Sequence, residues 1–253
     1  MWGFISPIRN HFRKNWFTVI LYHKIEPELF LKHLNYYENN YNICNLDLLQ
    51  KHFKENTPLP RNTLIITFDD GWRSNYDLLP IIEENKVPIT IFITTGLIGI
   101  NLKPPPIEHH YGNKINNYKN DYPHESKRTM LNIEEIKEMA NLVNFQSHGV
   151  HHYLSTHINP SQLKSELLES KKVLEKITGK TVYAFAYPYN RASDKEANIV
   201  KSCGYTCARI GGRLMNKLNS NRYLINSIGI EENCTIEHLH KKILRAEIKT
   251  ILQ

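Results

Sequence analysis

Seven short runs of β-branched and aromatic residues recur along the chain, at 17–22, 64–68, 87–94, 143–146, 182–186, 205–210 and 223–230. Runs of this length and composition predict strands. The run at 87–94 is almost continuously apolar, as expected of a strand buried on both faces. Between the runs, apolar residues return at helical spacing. Helices are expected at 27–37, 46–53, 74–85, 132–142, 161–178 and 195–202, and from Thr235 to the chain end. Pro27 opens the first; Ser74, Asn132 and Thr235 are candidate N-caps; Gly179 and Gly204 are candidate stops. Strands and helices alternate with no linker and no internal repeat. That pattern predicts one α/β domain of about seven parallel strands, closed or nearly closed into a (β/α) barrel. An open doubly wound sheet is the alternative, but no Gly-rich phosphate loop follows the first strand.

Two stretches break the pattern. Residues 101–128 carry three prolines at 104–106, then His109, His110 and Pro123 among Asn, Tyr and Lys, which predicts a long surface loop. Residues 1–16 form an arm in which Trp2, Phe4, Ile8, Phe12 and Trp16 mix with Arg9, Arg13 and Lys14. Such an arm can pack on the domain or touch a membrane interface. It lacks the apolar run and small-residue cleavage site of a secretory signal. No stretch approaches the roughly 20 apolar residues of a spanning helix. These readings point to the cytoplasm or the inner membrane face.

The chain has 253 residues, 41% of them hydrophobic and 23% charged, with net charge +7. These are globular values with a basic surplus. The surplus favours an anionic partner, such as a phosphorylated or lipid-linked glycan or a membrane face. Nucleic acid ranks last, since no nucleic-acid motif and no basic-aromatic array is present. Cys44, Cys203, Cys207 and Cys234 form no CxxC pair. They read as buried free thiols in a reducing compartment.

The chemistry concentrates where strands end. Leu64-Ile65-Ile66-Thr67-Phe68 runs into Asp69-Asp70-Gly71-Trp72. An Asp-Asp-Gly sequence is also an ordinary turn. In α/β folds, however, ligands bind beyond the carboxyl ends of strands. The run at 143–146 leads into Ser147-His148-Gly149-Val150-His151-His152, and the run at 182–186 into Tyr187-Pro188-Tyr189. Histidines at i and i+4 share a face on a helical turn and suit a single metal ion. One carboxylate completes a His₂Asp set with an open position, and a second beside it can act as base. His151 can stand in for either histidine.

These residues resemble the NodB-type polysaccharide deacetylases, carbohydrate esterase family four. The family's T-F-D-D-G motif stands intact as Thr67 to Gly71, and its H-x-x-x-H motif is matched by His148 and His152. Tyr187-Pro188-Tyr189 matches the third motif in part. Leu21-Tyr22-His23 and the helix opening at Pro27 also fit a branch of the family, so the resemblance covers roughly residues 17–230. It implies a distorted (β/α) barrel, here 17–253 with the loop 101–128 and a C-terminal helix 235–253. It implies that Asp70, His148 and His152 hold a divalent metal, usually zinc. Asp69 is then the general base for water attacking an N-acetyl carbonyl. The Tyr189 backbone N–H faces the oxyanion, and Tyr187, Pro188 and Trp72 contact the sugar.

Two departures matter. The third motif often begins with an arginine that orients the catalytic aspartate, and that position is Ala186. The family's late L-x-x-H, source of the general acid, has no match near 225–230, which leaves His23 or His151 for that role. The expected function is a metal-dependent N-deacetylase for an N-acetylhexosamine unit in a polysaccharide or in a lipid- or nucleotide-linked precursor. The alternatives are a metal- or glycan-binding relative with impaired turnover and an amidohydrolase for a non-sugar amide.

Overall fold

A computed structural model of the protein describes residues 16–101, 104 and 128–252. The expected arm, except for Trp16, and nearly all of the expected 101–128 loop lie outside the described residues. Seven parallel strands close on themselves. They are β1 (Trp16–Tyr22), β3 (Thr63–Phe68), β4 (Ile89–Ile93), β5 (Val143–Ser147), β6 (Ala184–Ala186), β7 (Cys207–Gly211) and β9 (Ile225–Gly229). Barrel order is β1-β3-β4-β5-β6-β7-β9, and β9 pairs back onto β1. Two extra pairs of residues lie outside the ring. β2 (Asn42–Ile43) runs parallel to the start of β3, and β8 (Asn216–Lys217) runs antiparallel to the start of β1.

Among the described residues, seven α-helices surround the strands: α1 (Pro27–Asn40), α2 (Leu46–Glu55), α3 (Leu79–Asn85), α4 (Ile133–Met139), α5 (Pro160–Thr178), α6 (Asp194–Ser202) and α7 (Ile236–Ile251). Local chemistry sets their ends. Asn132, Asn159 and Ser193 each build a reciprocal capping box with the residue three positions on. Thr235 accepts from the His238 N–H, and Gly179 ends α5 at φ 68°. The expected helix at 74–85 differs. Residues Arg73–Leu78 form a 3-10 helix, α3 starts only at Leu79, and Ser74 does not cap it. The tighter turn follows from the constraint on its start: the Arg73 N–H donates to Thr129 O and the Asn75 side chain to His23 O.

Alternation along the strands divides the core in two. Phe17, Val19, Ile65, Phe92, Ala184, Ala186, Cys207 and Ile225 form the inner cluster, joined at the base by Leu46 and Leu49 of α2. Leu49 is fully buried there, worth about 1.5–3 kcal/mol. Ile66, Phe68, Ile91, Phe145, Phe185 and Ile228 belong to the larger cluster that joins barrel to helices. The base of the barrel is therefore apolar, which leaves the carboxyl ends of the strands for polar side chains.

Candidate active site

The exit of β3 is bent sharply. Asp70 and Gly71 take φ of 71° and 85°, and a Cβ on Gly71 would stand 2.6 Å from Ile93 Cδ1. Only glycine fits there, so the turn that follows the two acids is fixed. The bend separates the carboxylates. Asp69 faces Arg209, and Asp70 faces two histidines.

His148 and His152 are not on a helical turn, as their spacing suggested. Residues 148–152 form an irregular loop with Gly149 at φ 81° and His152 at φ 59°. Three backbone bonds hold it to the exit of β4: His148 N–H to Ile93 O, Thr95 N–H to Gly149 O and Gly96 N–H to Val150 O. From the other side, the buried Glu166 of α5 accepts from the N–H groups of Val150 and His151, both at 2.8 Å. This clamp brings the rings of His148 and His152 to 4.9 Å.

The three residues form a compact donor set. Asp70 Oδ1 lies 3.4 Å from His148 Nε2 and 3.3 Å from His152 Nε2. One ligand atom from each residue lies within 4.8 Å of the others, and all three residues are buried. Asp70 Oδ1 itself accepts no hydrogen bond. A buried carboxylate oxygen without a donor, facing two imidazole nitrogens, fits a divalent cation. Neighbouring groups orient these donors. His148 Nδ1 lies 2.8 Å from Ala186 O, which only accepts, so Nδ1 carries a proton and Nε2 points to the site. Trp72 Nε1 donates to Asp70 Oδ2 at 2.9 Å. Burial alone would raise the Asp70 carboxyl, but His148 and His152 outweigh it and hold the group well below the ordinary carboxylate range. Burial likewise lowers His148, yet Asp69 and Asp70 reverse the direction and raise it. For His152 burial wins and the imidazole is lowered.

Asp69 is 1% exposed. Both of its oxygens accept from Arg209 Nη2 of β7, while Arg209 Nη1 donates to Asn190 Oδ1 at 2.9 Å and Ser227 Oγ at 3.0 Å. The arginine absent at position 186 thus has a counterpart one strand along. Ala186 and Arg209 are register partners in the β6–β7 pair, and both face inward. The methyl group of Ala186 leaves room for a guanidinium arriving from β7. The sequence did carry a signal for it: a lone arginine inside the apolar run 205–210 needs a buried acid.

The candidates for acid separate. His23 follows β1, is half exposed, and has Nε2 3.9 Å from Asp70 Oδ2. A buried chain fixes the end of β1 beside it. His33 Nε2–H donates to Cys234 O, so His33 Nδ1 accepts from Tyr22 O–H, and the Tyr22 oxygen accepts from Tyr37 O–H. His151 instead turns to Glu166, with Nδ1 2.6 Å from Oε1, and stacks on Tyr153.

The residues of the third motif fall into two groups. Tyr189, at φ 58°, puts its ring 4.6 Å from that of His152. Tyr187 is fully buried against Phe185, and Pro188, the first residue of the turn, is buried too, so neither offers the substrate a surface. Their expected contact with the sugar is corrected on this ground: they shape the turn that presents Tyr189. Trp72 is partly exposed at the mouth, with Lys24 Nζ 5.2 Å over its ring.

Comparison with known proteins agrees with this geometry. Residues 56–208 match the family described as polysaccharide deacetylase. A poly-β-1,6-N-acetyl-D-glucosamine N-deacetylase of Staphylococcus aureus is 26% identical, over 94% of this chain and 86% of that protein. The Bacillus subtilis protein YxkH is 26% identical over 144 residues, 56% of this chain, and the chain spans only 42% of its length. Among solved structures, the Streptococcus pyogenes deacetylase PplD with acetate aligns at TM-score 0.72 and 20% identity, over 90% of this chain and 98% of that one. IcaB from Ammonifex degensii aligns at TM-score 0.69 and 16% identity, over 90% and 97%. At these identities the two structures establish the shared fold.

Proposed function

Since the chain belongs to the polysaccharide deacetylase family, we propose that it hydrolyses the N-acetyl group of an N-acetylhexosamine unit within a glycan, with Asp70, His148 and His152 holding a divalent cation, most simply zinc. One observation carries the reading. The unsatisfied Asp70 Oδ1 faces two Nε2 atoms, while its sequence neighbour Asp69 is held apart on Arg209. A pure binder has no use for the second acid.

When bound, the cation supplies Lewis acidity that makes a water acidic and polarises a carbonyl. The protein does the rest. Asp69 takes the proton of the attacking water, and Arg209 fixes the carboxylate in the orientation to do so. The Tyr189 backbone N–H serves as donor to the oxygen that gains charge. His23, half exposed with Nε2 3.9 Å from Asp70 Oδ2, gives a proton to the departing amine. Acetate and a free amino sugar result.

The experiment is metal analysis with acetate release from β-linked N-acetylglucosamine oligomers. Wild type should bind about one cation per chain and release acetate. Asp69→Asn should keep the cation and lose about 10²–10⁴-fold in rate. Full metal content in His148→Ala would refute the ligand set. A bound cation without acetate release from any oligomer would favour an inactive glycan binder.

A further inference from the structure

A cleft of about 460 Å³ is lined by Leu21, His23 and Tyr189, the last two being the proposed acid and oxyanion contact. The same lining carries Arg191, Arg213 and Lys242, and Glu231 is the one carboxylate among its described residues. Glu231 is tied up, since Lys242 Nζ donates to its Oε1 at 2.5 Å and to Gly229 O at 3.0 Å. Burial would raise the Glu231 carboxyl, but the Lys242 bond, with Arg213 adding to it, lowers it. It therefore stays ionised, bonded to Lys242 and within the field of Arg213. Arg213 is exposed, yet its backbone is fixed. It stands at φ 56°, and its N–H shares Ser227 O with that of Gly212. Strained backbone held this firmly is a recurrent feature of ligand sites. A second cleft, also about 460 Å³, shares Glu231 and Lys242 and continues past His238, Lys241 and Arg245 of α7. The cations thus extend from the side of His23 and Tyr189 to α7, where Lys241 pairs with Glu237.

An uncharged glycan leaves these cations unused. We infer that this cleft is a subsite for an oxyanion on the glycan, a phosphate ester or a uronate carboxylate, next to the sugar that is deacetylated. The inference rests on the deacetylase reading for the reacting centre and adds the substrate class, an acidic glycan. Guanidinium groups present forked donors that match phosphate and carboxylate oxygens. Because the cleft is open, the attraction is screened by salt.

The test uses three oligomers of equal length: neutral N-acetylglucosamine, the same oligomer bearing a phosphodiester, and one alternating with a uronic acid. Binding is measured by calorimetry on the full chain stripped of metal, so that no turnover intervenes. At least one charged oligomer should bind about tenfold tighter than the neutral one at low salt, and the advantage should shrink at high salt. The preferred oligomer identifies the oxyanion. Arg213→Ala should cut the preference several-fold, and Arg213→Ala with Arg191→Ala should remove most of it. Equal binding of all three oligomers overturns the inference, and so does a preference untouched in the double variant. Acetate release with metal restored separates the two readings. A charged preference without acetate keeps the subsite and refutes the deacetylase; acetate without a preference does the reverse.

Discussion

Arg209 is the most demanding test of this site. Its guanidinium donates twice to the Asp69 carboxylate and once each to Asn190 and Ser227, with its ring-facing side on Phe92. Side-chain exposures of 4% and 2% make the ion pair almost solvent-free. Arg209→Leu removes all four bonds and leaves an unpaired carboxylate in the barrel. Breaking a buried pair from one side costs about 3–5 kcal/mol. For a domain of this size that is a fall in Tm of roughly 6–20 °C, at about 2–4 °C per kcal/mol. Arg209→Lys should recover little, because one ammonium cannot serve four acceptors in a plane. Urea denaturation of Arg209→Leu, Asp69→Asn and the double variant forms a cycle. The double variant should be more stable than the sum of the singles by about 2 kcal/mol or more. A further arm moves the cation back, since Ala186→Arg with Arg209→Ala places it on the register partner. Some acetate release should return relative to Arg209→Ala alone. A coupling below about 0.5 kcal/mol, the limit of ordinary additivity, would refute the pairing as the organising contact.

Three further outcomes follow from the same geometry. His23→Gln should lower acetate release about 10²–10⁴-fold while metal content, read by mass spectrometry, is unchanged; retained activity would remove His23 as the acid. Glu166→Ala strips the acceptor from two backbone N–H groups that hold the His148–His152 loop, so metal affinity by competitive chelation should fall about 10–100-fold, whereas Glu166→Gln, which keeps one acceptor, should lose less. Glu135 closes the α4 capping box and pairs with Arg128 and Arg73; burial would raise its carboxyl, but Arg128 outweighs burial and lowers it. A lowered carboxyl stabilises the fold above the unfolded value near about 4.3 and stops doing so as pH falls through the folded value. Glu135→Gln should therefore cost about 1 kcal/mol by urea denaturation at pH 7, and the gap should close below about pH 4; a pH-independent gap would contradict the assignment.

The barrel was legible because its strands are short apolar runs with helical spacing between them, and all seven expected runs became barrel strands. The two-residue strands β2 and β8 were not, since two residues carry no periodicity. The acids and histidines were legible as motifs, but the reason given for the histidine spacing was not the structural one. No helical turn holds His148 and His152; the bonds to Ile93, Thr95, Gly96 and Glu166 do, and those partners lie 15 or more residues away in sequence. Arg209 escaped because motif reading looks for the arginine at 186, whereas its function is defined by position in space. Trp72 was expected to meet the sugar, yet its indole N–H serves Asp70. Arg209 and Asp69 are partners that only strand closure brings together, whereas Trp72 and Asp70 meet within one turn, through a bend that the sequence pattern does not show.

The exchange between positions 186 and 209 has a simple physical basis. Parallel strands paired in register bring residues at one height to neighbouring points on the inner wall. The aspartate requires a forked cation at that height; it does not require a particular strand to supply it. Two large groups cannot share the space, so an arginine on one strand demands a small residue on its partner, and Ala186 is that residue. Trp72 and His148 show the same economy, each serving Asp70 from a different strand exit. The missing motif arginine is therefore weak evidence for lost catalysis. In this barrel Asp69 is bridged by a buried guanidinium and Asp70 Oδ1 is left bare toward two imidazoles, the arrangement on which the proposed deacetylation rests.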